Sequence, residues 1–78
     1  MKSAIEVGDT EVICDVPEDR PFVLNVTCKK DGVAVENIDP ANFLFASSLE
    51  QANEILLHTR PAPESFYSLI PESKIRPA

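Results

Sequence analysis

The sequence contains little of what phosphate-binding loops and membrane spans require. It has two glycines, one tyrosine, four phenylalanines and no tryptophan among 78 residues. Two glycines are too few for the glycine-rich loops that cradle phosphate groups. No stretch approaches the roughly 20 consecutive apolar residues of a membrane helix. The scarcity of aromatic residues also predicts a core built mainly from aliphatic side chains.

Basic residues are scarce as well. Seven Lys and Arg stand against thirteen Asp and Glu, which gives a formal net charge of −6. Proteins that bind nucleic acid directly cluster Lys and Arg, because these side chains replace the counterions of the phosphates. Anionic membrane surfaces attract the same residue types. We therefore expect neither direct nucleic-acid binding nor membrane binding.

The length and the first residues set further bounds. Seventy-eight residues, of which 44% are hydrophobic, are enough for one small domain over residues 1–78. A chain of this size buries about 60% of the surface that its unfolded form exposes. Met1-Lys2-Ser3 leads into alternating strand sequence and not into an apolar signal segment, so we expect a cytoplasmic protein.

Residues 1–36 have the pattern of an antiparallel β-meander of three to four strands. Gly8-Asp9 and Asp31-Gly32 are typical hairpin turns, and the prolines at 17 and 21 mark a loop. Between these breaks, apolar and polar residues alternate with the strand period of two. Even-numbered residues from Val12 to Val16 and from Phe22 to Cys28 should face the core. Pairing across the loop would place Val16 opposite Phe22.

The sequence pattern of residues 42–60 predicts a short strand or buried entry segment at 42–45, followed by an amphipathic helix. Ser47 and Glu50 fit a capping box, and Pro61 would end the helix. An apolar stripe at helical spacing would cover one face of the sheet: Leu49, Ala52, Ile55, Leu56 and Thr59. An alternative begins the helix earlier, with Asp39 as the cap and Pro40 as the first residue.

Residues 61–78 form a tail with four prolines. Within it, 66–70 could make one helical turn docked on the core, and we expect 73–78 to be loosely held. The predicted fold class is therefore α+β: an antiparallel sheet of three to four strands formed by the N-terminal meander, one amphipathic helix on one face, and a proline-rich C-terminal tail.

The candidate catalytic residues do not form a recognisable set. Cys14 and Cys28 would lie about 13 Å apart in the predicted register, beyond disulfide reach, so we expect two free, buried thiols. His58 is the only histidine, and no neighbouring motif supplies a nucleophile or an orienting group. The acidic residues lack the spacing of a calcium loop. We expect no enzymatic activity, no cofactor and no metal site.

Negative charge is concentrated in the first hairpin. Residues 1–19 contain six of the thirteen acidic residues and a single base. The acidic residues are Glu6, Asp9, Glu11, Asp15, Glu18 and Asp19. Odd-numbered side chains of the second strand should face solvent, so Ile13, with Val23 across the strands, would form an apolar centre within a charged rim.

Two interpretations of this hairpin remain open. It could be a recognition surface that imitates a phosphate backbone and attracts a basic, nucleic-acid-handling protein. It could instead be a solvated face whose charges discourage edge-to-edge aggregation. In the second case Lys29, placed opposite Asp9, would neutralise part of the charge.

In size, acidity and lack of catalytic motifs the chain resembles small inhibitor proteins that phages and mobile elements direct against host nucleic-acid machinery, anti-CRISPR proteins among them. The resemblance implies a non-enzymatic inhibitor that binds a basic protein. The alternative is a structural or assembly protein that associates with itself through an open sheet edge or through the tail. The sequence leaves the oligomeric state open.

Overall fold

A computed structural model describes residues 2–60 and 64–78. The described chain has the predicted α+β fold, with antiparallel sheets of three and four strands and one α-helix. The elements in chain order are β1 (Lys2–Val7), β2 (Thr10–Asp15), β3 (Phe22–Lys30), β4 (Val33–Glu36), β5 (Leu44–Ala46), α1 (Leu49–His58), β6 (Ser65–Leu69) and β7 (Ile75–Pro77). No helix in this part of the chain is long and apolar enough to cross a membrane.

The three-stranded sheet has the order β2-β1-β7. The β1–β2 hairpin pairs Val7 with Thr10 and continues to Lys2 opposite Asp15. On the other side of β1, the end of the chain returns antiparallel, with Ile5 opposite Ile75. Strand β1 is thus held between the strand that follows it and the last strand of the chain.

The four-stranded sheet is built around β3, the longest strand. Residues 27 and 28 of β3 pair with both β4 and β6, so these two strands lie on opposite sides of β3. Leu24 pairs with both β5 and β6, which places β5 on the same side as β4. Strand β3 therefore has hydrogen-bonded neighbours along both of its edges.

The elements form three layers, with the four-stranded sheet in the middle. The cluster between the two sheets contains Ile5, Val7, Val16, Val23, Phe43 and Ile70. The cluster beneath the helix contains Leu24, Ala46 and Ala52, with Ile55, Leu56 and Tyr67 packed against it. Because each apolar face of β3 is covered, two small cores replace the single core of a meander under one helix.

Local turn chemistry fixes both hairpins. Asp31 and Gly32 have φ values of 53° and 79°, the pair of positive angles that a type I′ turn requires. Gly8 has a φ of 58° at the first position of the two-residue turn between β1 and β2. The two predicted turns are confirmed, because Asp and Gly tolerate the left-handed region better than most residues do.

The N-cap of the helix is Ser48, one residue later than the predicted cap at Ser47. The Ser48 side chain accepts a hydrogen bond from the Gln51 amide, and Gln51 Oε1 accepts from the Ser47 amide at 2.7 Å. The observed cap places Gln51 at the third helical position, but its side chain accepts from Ser47, the residue before the N-cap, and not from the N-cap amide as in a standard capping box. The helix ends at His58, with Thr59 as C-cap. Pro61, predicted to end it, lies outside the described residues.

The alternative helix start also has a structural counterpart. Asp39 caps a single 3-10 turn over Pro40–Asn42 by accepting a hydrogen bond from the Ala41 amide. The turn stops there because Phe43 is extended and buried, and β5 follows directly. The strand or entry segment expected at 42–45 is confirmed in part, because β5 begins at Leu44 while Asn42 still belongs to the 3-10 turn.

The predicted pairing across the 17–21 loop was wrong. Strands β2 and β3 belong to different sheets, and Val16 is buried in the core between them. Strand β3 carries apolar residues at consecutive positions, Phe22-Val23-Leu24, which is typical of a strand covered on both faces. The three-stranded sheet covers the second face of β3, which was expected to face solvent.

The tail predictions were also wrong. Residues 65–69 form strand β6 along the open edge of β3 instead of a helical turn. Residues 75–77 form β7 and pair with β1 instead of being loosely held. In both cases a central strand needed partners for its backbone donors and acceptors, and this long-range demand outweighed the local pattern.

Candidate functional site

The exposed face of the three-stranded sheet carries four of the eight predicted site residues, and we call it the acidic face. It is formed by Glu6, Glu11, Ile13 and Asp15, whose side chains all point away from the core. The predicted alternation along β2 is confirmed, with Val12 and Cys14 packed against the core on the other side. Alternate residues of a strand are about 7 Å apart, so Ile13 separates Glu11 from Asp15.

The acidic face brings two carboxylates directly opposite each other. Glu6 of β1 is the cross-strand partner of Glu11 of β2. Such residues have Cβ atoms about 5 Å apart, and like charges in this position are destabilising. One row along the sheet, Ile13 lies opposite Ala4 and is 50% exposed. The geometry thus places an exposed apolar residue beside a repulsive pair of acids.

Arg76 is a cation that no local sequence pattern connects with this face. It lies opposite Ala4 on β7, and its Nη2 donates a hydrogen bond to Glu11 Oε2 at 3.0 Å. The prediction that Lys29 neutralises part of this charge was wrong, because Lys29 lies on β3 in the other sheet. Arg76 was missed because only the pairing of the first strand with the last brings it to Glu11.

The remaining acidic residues of the predicted site lie at the two ends of β2. Asp9 is in the turn before β2, and Glu18 and Asp19 are in the turn after it. That second turn is closed by a hydrogen bond from the Arg20 amide to the Pro17 carbonyl. Asp19 also lies 4.0 Å from the Arg20 guanidinium. Negative side chains therefore extend along the whole length of β2 and beyond both ends.

Val23 does not belong to the acidic face, and its predicted contact role was wrong. It is completely buried in the core between the two sheets. The prediction assumed that β2 and β3 were neighbours in one sheet, which would have placed Val23 beside Ile13. The sheets instead stack face to face, so the apolar centre of the acidic face is Ile13 alone.

Both cysteines are free, as predicted, but both are half-buried, so the expectation of buried thiols was wrong. Cys14 lies on the inner face of β2, where burial, and secondarily the negative charge of Asp15, raises the pKa of its thiol. Cys28 lies on β3, with its sulfur 3.1 Å from the hydroxyl oxygen of Ser65. The register argument for their separation was wrong, since the two residues occupy different sheets.

His58 lies in the last turn of the helix, where a positive charge would complement the helix dipole. Its side chain is exposed. Among the described residues, no three His, Cys, Asp or Glu side chains come close enough together to hold a metal ion.

A cleft opens between the two sheets. Its volume is about 510 Å³. The connection from β2 to β3 forms one wall with Val16, Pro17 and Pro21, and the segment from β6 to β7 forms the other. The cleft exists because the two sheets are joined at this end by proline-containing connections, and no local sequence signal indicates how far apart such connections lie.

A smaller cavity of about 90 Å³ lies further along the same seam. Glu6, Asn25, Glu36, Ser68 and Lys74 are among the residues that line it. Asn25 is only 1% exposed, and its Oδ1 has no hydrogen-bond partner. An unpaired amide oxygen in a core is costly, and an adjoining cavity of this size has room for the ordered water that commonly satisfies such an atom.

Comparison with known proteins gives no relative to guide the interpretation of these features. The chain matches no protein-family model, no curated protein and no solved structure at a significant level.

Proposed function

We propose that this protein is a non-enzymatic binding protein whose acidic face docks on a basic surface of a partner protein. The observation that carries the proposal is the arrangement of Glu6, Glu11 and Asp15 around the half-exposed Ile13. Opposed carboxylates reduce the stability of a hairpin, and the exposed Arg76 guanidinium, which donates to Glu11, offsets only part of this cost. A positively charged partner surface would relieve this repulsion on binding.

The partner class follows from the same chemistry. Carboxylates spaced along an extended strand, with more at both ends, present a row of negative charge that a nucleic-acid-binding surface attracts. An inhibitor of nucleic-acid-handling machinery, of the kind that phages and mobile elements encode, would act by occupying such a surface. A cytoplasmic location is part of the proposal and is supported by the two free thiols, which are typical of reducing compartments.

The test compares two charge reversals of equal size. The double variant Glu11→Lys with Asp15→Lys reverses the acidic face, while Glu50→Lys with Glu54→Lys changes the same charge on the exposed side of α1. A partner captured from lysate at low salt would be titrated with each variant by calorimetry. We expect the first variant to bind at least about tenfold more weakly and the second to bind nearly as well as the original protein.

Salt dependence provides the second measurement. Affinity through the acidic face should fall steeply as ionic strength rises, because exposed charges are screened. Circular dichroism spectra of both variants would establish that the fold is intact. Equal binding by the two variants, or affinity that does not respond to salt, would show that the acidic face is not the interface.

A second candidate function is self-association through strand β4. All four of its residues are exposed, including Val33 and Val35, and β3 is its one neighbour among the described strands. Exposed apolar edge strands readily pair with further strands. If β4 mediates assembly, light scattering should detect oligomers that grow with concentration, and Val35→Lys should return the protein to a monomer. A monomer at every concentration would remove this candidate.

A further inference from the structure

The cleft between the two sheets has the size and wall chemistry of a binding site. Its volume of about 510 Å³ lies within the range of roughly 300–1,000 Å³ that is usual for ligand sites. Leu69, Ile70 and Ile75 are among the apolar residues that line it. A group that entered the cleft would gain free energy mainly by leaving water, since burial of an aliphatic or aromatic side chain is favourable.

The prolines of the cleft restrict what it can bind. Pro17, Pro21, Pro71 and Pro77 all line it, and proline has no backbone N–H. Walls with few donors are poorly suited to phosphate or carboxylate groups, which need several N–H or O–H donors. The arginine at the cleft, Arg76, already donates to Glu11. Anionic ligands are therefore disfavoured, and an apolar group is favoured.

The charges at the mouth favour positive charge beside that apolar group. Glu18 and Glu72 line the cleft from its two opposite walls, and both side chains are exposed. Glu18 also belongs to the row of acidic residues that extends beyond the end of β2. The cleft is thus continuous with this row of acidic residues. A ligand that spans both would carry Lys or Arg next to an apolar anchor.

We propose that this cleft receives a large aromatic or branched aliphatic side chain from a Lys- or Arg-rich segment of the partner protein. The proposal rests on the proposed function and adds the anchor to it, because it names the kind of residue that the basic partner inserts. In this arrangement the acidic face attracts the partner, and the cleft supplies the apolar contact that Ile13 alone is too small to provide.

The test uses short peptides as probes. The protein has no tryptophan, so the fluorescence of Lys-Lys-Trp-Lys-Lys, blocked at both ends, reports only on the peptide. We expect a blue shift and increased anisotropy when the indole enters the cleft. Lys-Lys-Leu-Lys-Lys should compete, and Lys-Lys-Ala-Lys-Lys should compete at least about tenfold more weakly, because it lacks the large anchor.

Two further arms locate the site and test its charge. Methyl NMR shifts on titration should be largest at Leu69, Ile70 and Ile75. The double variant Glu18→Lys with Glu72→Lys should weaken binding of the tryptophan peptide several-fold. The matched reversal Glu50→Lys with Glu54→Lys should leave this binding unchanged. All four residues are exposed, so neither variant is expected to unfold the protein.

The outcomes separate the cleft from the proposed function. If the alanine peptide competes as well as the tryptophan peptide, or if the shifts map to the acidic face alone, the cleft proposal is overturned and the acidic interface stands. Equal binding of Glu-Glu-Trp-Glu-Glu would also overturn it, because the flanking positive charge would then be irrelevant. The proposed function would be contradicted if the tryptophan peptide binds the cleft but the captured partner binds equally well after the acidic face is reversed.

Discussion

Arg76 Nη2 lies 3.0 Å from Glu11 Oε2, although the two residues are 65 positions apart in the chain. The guanidinium reaches Glu11 across β1, because β7 and β2 flank that strand on opposite sides. Both side chains are more than half exposed, so the bond adds little stability. Its larger effect is on the charge of the acidic face, where it offsets one of two opposed carboxylates.

Removal of this guanidinium should therefore change binding more than stability. We expect Arg76→Gln to lower the free energy of unfolding by less than about 1 kcal/mol, an effect that salt reduces further. Affinity for a basic partner at low salt should rise several-fold, because Glu11 loses its internal cation. Urea denaturation and calorimetry measure the two quantities, with Arg60→Gln as the control for lost positive charge. Weaker binding by Arg76→Gln would show that Arg76 itself contacts the partner.

The unpaired oxygen of Asn25 leads to a stability prediction. Asn25→Leu keeps a similar size and removes the buried unsatisfied group, so it should raise the free energy of unfolding by up to about 2 kcal/mol. Asn25→Ala is the control, and it should lower stability because it enlarges the adjoining cavity. Denaturant titration separates these results. A clear loss of stability in Asn25→Leu would show that Oδ1 has a bound partner in that cavity.

The raised pKa of the Cys14 thiol gives stability a dependence on pH. The thiol is easier to deprotonate in the unfolded chain than in the folded protein. The contribution of the Cys14 thiol to the free energy of unfolding is therefore fully present below the ordinary pKa of 9.0. It is lost as pH rises through the higher pKa of the folded protein. Denaturation midpoints should fall above about pH 9 in the original protein and fall less in Cys14→Val. Equal slopes for both proteins would assign the decline to other groups.

The same thiol should react slowly with alkylating reagents near neutral pH. A raised pKa lowers the fraction of thiolate, which is the reactive form. Asp15→Asn should accelerate the reaction only partly, since burial is the larger cause and the charge of Asp15 is the smaller one. Mass spectrometry of Cys14 in a Cys28→Ser background measures the rate. Reaction as fast as that of an exposed thiol would contradict the burial of Cys14.

The observed helix cap can be distinguished from the predicted one by mutation. Ser48→Ala removes the hydroxyl that accepts from the Gln51 amide and should cost about 1 kcal/mol. Glu50→Gln, at the position of the predicted capping box, should cost less, because Glu50 is an exposed acidic residue in the first turn whose charge complements the helix dipole. Both values come from thermal denaturation. If the two substitutions cost the same, Ser48 does not act as the cap in solution.

Those features of the fold that depend on neighbouring residues could be predicted from the sequence. The turns at Gly8-Asp9 and Asp31-Gly32 follow from residue types that accept positive φ, and the alternation along β2 follows from the strand period. The exposed positions of Glu11, Ile13 and Asp15 could be predicted for the same reason. Each of these predictions needed no knowledge of distant partners.

The features that were missed depend on which distant segments meet. The burial of Val23 required the second sheet to stack on β3, and consecutive apolar residues at 22–24 were the available signal. The strand at 65–69 was too short for a helical pattern to be distinguished from a strand pattern. The cleft arises where two proline-containing connections pass between the sheets, so it depends on the assembled fold and not on either connection alone.

The pairing of β1 with β7 has a consequence for synthesis on the ribosome. The first strand has one neighbour a few residues away and the other near the opposite end of the chain. A pairing over so large a sequence separation raises the contact order and slows folding. Until residues 75–77 emerge, the nascent hairpin keeps an unpaired edge and lacks the guanidinium that compensates Glu11. The first hairpin therefore carries its greatest negative charge before folding is complete.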